Sequence, residues 1–393
     1  MKNVNVIISA ISLFVMTGCG GSRQVNESDG VITVDVTASY PQKKLILQDF
    51  MDVEYIPLET GGEFYCQGNV RAIGEKFIIV TNSNQINDGD IFIFDGNGSG
   101  LRKFNRKGRG GEEYARIGGV ILDEDNNEIF VNDGGSNRII VYDLYGRFKR
   151  SFQYKEGSSY RDVYNFDRGN LICRQTSFAF EQGTVYMPPF IIISKLDGSI
   201  VYEIQISFEQ KVSTTLMQID DRNVSVMPIN YFSITPYENS WILMEPSTDT
   251  LFRFLPDYSL FPFITRTPSI QTMNTEVLLF PGILTDHYYF IQTIKKEFDF
   301  TTWTGLPKTN LVYDKQEKRI YECTVHNDDF TTKRPVDMVQ ATINNEISFW
   351  HKLEADELVE DYEKGVLKGK LKEIAANLDE EANPVIMLVR YKK

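Results

Sequence analysis

Five aspartates close runs of apolar residues at nearly even intervals: Asp95, Asp143, Asp197, Asp257 and Asp314, separated by 48, 54, 60 and 57 residues. A period near 50 is that of a supersecondary unit that cannot bury its apolar face alone and must stack on copies of itself. The unit is clearest in residues 128–152, EIFVNDGGSNRIIVYDLYGRFKRSF, where two runs of branched and aromatic residues flank a polar turn and a glycine turn leads into a third. Residues 76–104 repeat that order in register. Residues 240–263 repeat it again, with Glu245 where Asp133 stands and Asp249 where Asn137 stands.

Ahead of each pair of strands lies one more short apolar stretch: NVRAIG (69–74), GGVILD (118–123), RDVYNF (161–166), NYFSIT (230–235), EVLLFP (276–281) and DMVQATI (337–343). Six innermost strands with their partners predict an all-β, six-bladed β-propeller, since four-stranded blades have about this repeat length. The sixth unit runs out of chain one strand short, after PVIMLVRY (384–391). The alternating segment GVITVDVTA (30–38) has no blade of its own, so pairing it with 385–391 would complete the sixth blade and close the ring, leaving no long open sheet edge. An open array or two β-sandwiches is the competing architecture. Between 353 and 379 the period changes: Leu353, Leu358, Tyr362, Leu367, Leu371, Ile374 and Leu378 fall at helical intervals, which predicts a helical insertion in the last blade, split by Gly365 and Gly369. Such an insertion can cap the ring or bind a partner.

Residues 1–18 carry Lys2, an apolar run too short to span a bilayer as a helix, and small residues before Cys19, the pattern of a cleavable export signal. Residues 19–30 then form a polar tether to a single domain over 31–393. The 42% hydrophobic content is enough for a core, and a net charge of −13 opposes nucleic-acid binding. Cys66, Cys173 and Cys323 are widely spaced and read as buried apolar side chains.

Met16-Thr17-Gly18-Cys19 resembles the lipobox of bacterial lipoproteins, in which the cysteine becomes the lipidated first residue. With that motif, the blades, DVEYIPLET (52–60) and the closing residues 357–389, the chain resembles the six-bladed propeller lipoproteins abundant in Bacteroides and its relatives, and more distantly NHL-type repeats. The resemblance implies an envelope location with the membrane engaged through a lipid anchor, the outer membrane above all, and a role beside glycan or nutrient uptake. It implies no reaction.

In a propeller the turns between second and third strands and the links between blades share one face. That face is expected to carry Arg106, Lys107, Arg109, Glu112, Tyr114 and Arg116 from one link, and Asp133, Asn137 and Arg138 from the adjacent turn. Glu245, Asp249 and Arg266 join from across the ring, with Trp303 on a long insertion expected to be strand-free. Arginines and aromatics around a funnel suit a carbohydrate, an acidic peptide or an envelope protein. The competing reading is that Asp133 and Asn137 only bond their own turn. Asp123, Asp125 and Asn127 have calcium-loop spacing but lack the later glycine and glutamate, which leaves a solvated hairpin turn. Of the three histidines, His287, His326 and His351, the first and last flank apolar strands, and inner strands poor in carboxylates and histidines predict no metal and no cofactor. The sequence therefore points to a non-catalytic binding propeller, with a metal-dependent hydrolase or lyase of the NHL or lactonase kind as the alternative.

Overall fold

The computed structural model describes residues 30–82, 88–177, 188–220 and 223–392. Cys19, the signal segment 1–18 and the tether up to residue 29 lie outside the described residues. Six antiparallel blades stand in a ring, as expected for an all-β chain. Blade I is built from strands 69–73, 77–81, 90–95 and 100–105; blade II from 117–123, 128–133, 138–143 and 148–153; blade III from 158–165, 170–177, 190–194 and 200–204; blade IV from 234–237, 240–243, 250–254 and 260–267; blade V from 277–284, 288–295, 308–314 and 319–327.

The two central strands of each blade are the most apolar because neighbouring blades cover both of their faces. Ile129, Phe130 and Val131 pair with Ile140, Val141 and Tyr142 and are without solvent exposure, as are Ile91 to Phe94 in blade I. Each such side chain contributes about 1.5–3 kcal/mol relative to leaving it in water. The outer strands alternate instead, with 148–153 exposing Lys149, Ser151 and Gln153 and turning Phe152 inward.

The N-terminal chain closes the ring, though not through the segment the sequence suggested. Ile32–Asp35 lies parallel to Leu260–Thr267 as a fifth, outermost strand of blade IV, with Ile32 opposite Ile264. Gln42–Ile46 does the same on blade V, parallel to Arg319–Asn327. Met51–Pro57 then pairs antiparallel with Val385–Tyr391 and supplies the outer strand of blade VI, Tyr55 opposite Met387. Thus the pairing of N-terminal and C-terminal segments holds, but 51–57 makes it, and residues 30–38 belong to the rim of blade IV. The alternation of 30–38 is real: Ile32 and Val34 are buried against blade IV. Alternation cannot say which edge a strand joins.

A second correction concerns DMVQATI. No strand forms over 337–343, and blade VI is a sheet of three strands, 347–353, 385–391 and 51–57. The segment is tied to its neighbours by single bonds: Ile283 N donates to Met338 O, and Ile343 N to Ser348 O. The helical insertion is present as Ala355–Glu363 and Gly369–Ala375, separated by Gly365 at φ +68°. Leu358, Leu367, Leu371 and Ala375 bury it against blade VI.

Candidate functional site: the central channel

Inner strands surround a channel of about 1590 Å³, lined by 70–73 of blade I, 117–123 of blade II, 159–165 of blade III and the segment 340–345. Four inner strands carry a break in register, at Arg71, Gly118, Asp162–Val163 and Gly282–Ile283. Bulges of this kind bend a strand and re-aim a side chain, and they are common beside binding sites. Asp162 sits at φ +45°, a region sparsely populated by residues other than glycine.

The two mouths differ. At the face opposite the inter-blade links, tight turns interlock. Glu124 accepts from the backbone N–H groups of Glu75, Lys76 and Phe77 at 2.9–3.0 Å. Lys195 reaches Asp123 at 2.7 Å, and Asn239 and Asn345 exchange two hydrogen bonds between blades IV and VI. The hairpin turn 123–128 is accordingly less solvated than its sequence suggested, with Asp123 and Glu128 both buried.

At the link face the channel is lined by Arg71, Arg116 and Arg161 from three consecutive blades. The Arg71 Nε donates to Thr81 at 2.7 Å. The Arg174 guanidinium stands over the Tyr231 ring at 4.6 Å and bonds its hydroxyl. Burial pushes the Tyr231 phenol up to about 12, despite the opposing pull of Arg174. Asp162 turns toward blade IV and accepts from Ser233 Oγ.

Of the residues nominated from the sequence, Arg116 lines the channel. The others are distributed around it. Tyr114 is fully buried; its hydroxyl donates to Gly89 O at 2.6 Å and accepts from Arg106 N, while Arg106 Nε donates to Gly146 O. Asp133, also without exposure, accepts from the N–H groups of Ala115, Arg116 and Gly135. Arg138 donates to the carbonyls of Gly110, Gly111 and Glu113, and Asn137 occupies a left-handed turn position at φ +51°. These contacts stitch the link between blades I and II. Arg109 and Arg106 are exposed on that link.

Across the ring, Glu245 accepts from Ser247 and from Lys211 at 2.7 Å, and Asp249 accepts from Ile270 N at 2.6 Å. Arg266 bonds the carbonyls of Pro268 and Val277. The three border a void of about 10 Å³, close to the minimum for one water. Trp303 is 58% exposed in a small hairpin, 298–299 with 304–305, packed on Phe298 and Phe300, so the insertion is not strand-free. His287 is exposed at the rim, and His351 lines the channel.

Sequence reading passed over Arg71, Arg161 and Arg174. The available signal was a cation interrupting an otherwise apolar inner strand, as in NVRAIG. It also passed over the hairpin 215–219 with 224–228, which exposes Met217, Ile219, Val224 and Val226 on one face beside the link into blade IV.

Among the described residues no three His, Cys, Asp or Glu side chains converge to hold a metal. Burial pushes the Cys66 and Cys323 thiols up to about 11 and about 12, so neither is a thiolate at neutral pH. No described helix is long and apolar enough to cross a membrane.

The fold matches one solved structure over nearly its whole length. A protein of Bacteroides fragilis described as exported superposes with a TM-score of 0.57 at 16% identity, covering 90% of this chain and 99% of that one. A member of the DUF4221 family from Bacteroides vulgatus gives 0.44 at 10% identity over 88% and 98%, and virginiamycin B lyase from Staphylococcus aureus 0.33 at 12% identity over 66% and 73%. No curated protein matches the chain. Residues 31–390, from the first rim strand to the closing strand of blade VI, match the profile of the domain of unknown function DUF4934, and the chain belongs to that family.

Proposed function

We propose that the protein is a non-catalytic, lipid-anchored envelope protein that binds a ligand or partner in the channel and funnel of its propeller, in support of glycan or nutrient uptake. The observation that carries this reading is the channel itself. At about 1590 Å³ it exceeds the usual 300–1,000 Å³ of a small-molecule site, and it is bounded by the inner strands of blades I, II and III with residues of blades IV and VI. Of the carboxylates that line it, Asp123, Glu124, Asp162 and Asp167 are engaged by a lysine, by backbone N–H groups, by a serine and by Gly169 N–H with Asn170, and among the described residues no three acidic, His or Cys side chains converge. A hydrolase or lyase of the metal-dependent kind would need such groups free to converge on an ion. The likeness to an exported Bacteroides protein and the lipobox-like Met16 to Cys19 support an envelope address.

Capture of the lipidated full chain from envelope extract, followed by mass spectrometry of the co-purified material, tests this. The reading predicts one glycan, peptide or protein species enriched over a channel-blocked control. Turnover of the captured species by the purified chain would overturn it.

A further inference from the structure

The link-face mouth of the channel collects cations that the fold leaves uncompensated. Arg161 lies in the inner strand of blade III, 158–165, and stands directly opposite Arg174 on the adjacent antiparallel strand. Like charges in directly opposed positions destabilise a sheet. Arg116, on the neighbouring blade II, lines the channel together with Arg161, and Arg174 stands one strand behind that lining. None of the three makes an ion pair among the described residues, in a chain with 54 acidic residues to 41 basic.

Acids near these arginines or near Tyr231 are already engaged. Asp133 holds three backbone N–H groups, Asp162 is turned to Ser233, and Glu245 is held by Lys211 and Ser247. The Asp162–Val163 bulge follows Arg161 immediately and places a non-glycine residue at positive φ, a cost retained at a channel wall where a side chain must be aimed. Guanidinium groups are rigid forks that match carboxylate, sulfate and phosphate oxygens two at a time.

We propose that the link-face mouth binds an oxyanion-bearing ligand through Arg116, Arg161 and Arg174. This rests on the channel being the binding site and adds the chemistry of what enters it. The Tyr231 ring, against which Arg174 is stacked, fixes one fork in place. Attraction of this kind weakens as salt rises.

The full mature chain is titrated calorimetrically with citrate as the carboxylate probe and pyrophosphate as the phosphate probe, at ionic strength fixed with sodium chloride; trimethyl citrate is the neutral control. Saturable binding of at least one anion and none of the ester is expected. Arg161→Gln and Arg174→Gln each weaken it about 10-fold or more, Arg161→Lys less, and Arg147→Gln, whose side chain pairs with Asp143 elsewhere, not at all. Denaturation midpoints establish that each variant is folded. The two probes identify which oxyanion is preferred. Absence of saturable binding by both anions, equal binding by the ester, or undiminished binding in the Arg116/Arg161/Arg174→Gln triple variant would each overturn the proposal. If that triple variant still captures the same species from envelope extract, the channel remains a binding site and only its anion chemistry is lost.

Discussion

Lys195 and Asp123 meet 2.7 Å apart across the seam between blades II and III, with side chains 6% and 4% exposed. Lys195 also donates to Asp167 O, and Asp123 accepts from Asn126. Removing one member of a buried pair strands the other charge, which costs about 3–5 kcal/mol. Lys195→Met is therefore expected to lower the urea midpoint strongly, and Lys195→Met with Asp123→Asn to recover part of that loss. Strictly additive losses in the double-mutant cycle would contradict a direct coupling.

Ring closure places Ile386 between Ile56 and Lys352, wholly buried in blade VI. Ile386→Ala should cost about 2–5 kcal/mol of stability because it empties a site that both ends of the chain build. Phe261→Ala, on the rim of blade IV at 51% exposure, should fall within about 0.5 kcal/mol of the parent. Chemical denaturation of the two variants side by side separates closure from general rim packing.

Much of this was readable from residue order. The strand-ending aspartates mark real turns: Asp95 and Asp143 each accept from backbone N–H groups two and four residues on, which is why the residue recurs. The destination of residues 30–38 was not readable, because Ile32 and Val34 would bury equally well on any blade's outer edge. Nor could the sequence separate Asp133 as ligand from Asp133 as brace. That depends on where the link 106–116 passes, a long-range relation that places Ala115 and Arg116 N–H groups on its carboxylate. Arg161 and Arg174 became a pair only once the strand register was known.

Glu128 supplies a pH-dependent increment. Burial alone would push its carboxyl up, but Arg150 at 2.6–2.7 Å, with Lys149, outweighs burial and holds it below the usual glutamate range. A depressed folded-state value means stability that is fully present above the unfolded value of about 4.5 and is lost as pH falls through the folded value. The stability difference between the parent and Glu128→Gln should be constant from pH 6 to 8, on the order of the upper end for charged hydrogen bonds, and should shrink below about pH 4.5. A difference that grows on acidification would contradict the assignment.

Anchoring is tested at Cys19. Several acyl chains on one residue hold a protein stably at a bilayer, since each buried CH₂ contributes about 0.8 kcal/mol. Cys19→Ala is expected to move the exported chain from the membrane fraction to the soluble fraction of fractionated cells. Unchanged membrane association would remove the anchor from the account.

The chain has three tryptophans, and their positions permit a direct test of where ligand binds: Trp241 and Trp350 line the channel, whereas Trp303 is exposed on the blade V hairpin. Emission of the Trp303→Phe protein is followed during a citrate titration at fixed ionic strength. The account predicts a saturable change that persists in Trp303→Phe and disappears when Arg161→Gln and Arg174→Gln are added. A response confined to a protein retaining Trp303 alone, with Trp241 and Trp350 replaced by phenylalanine, would place binding outside the channel and contradict it.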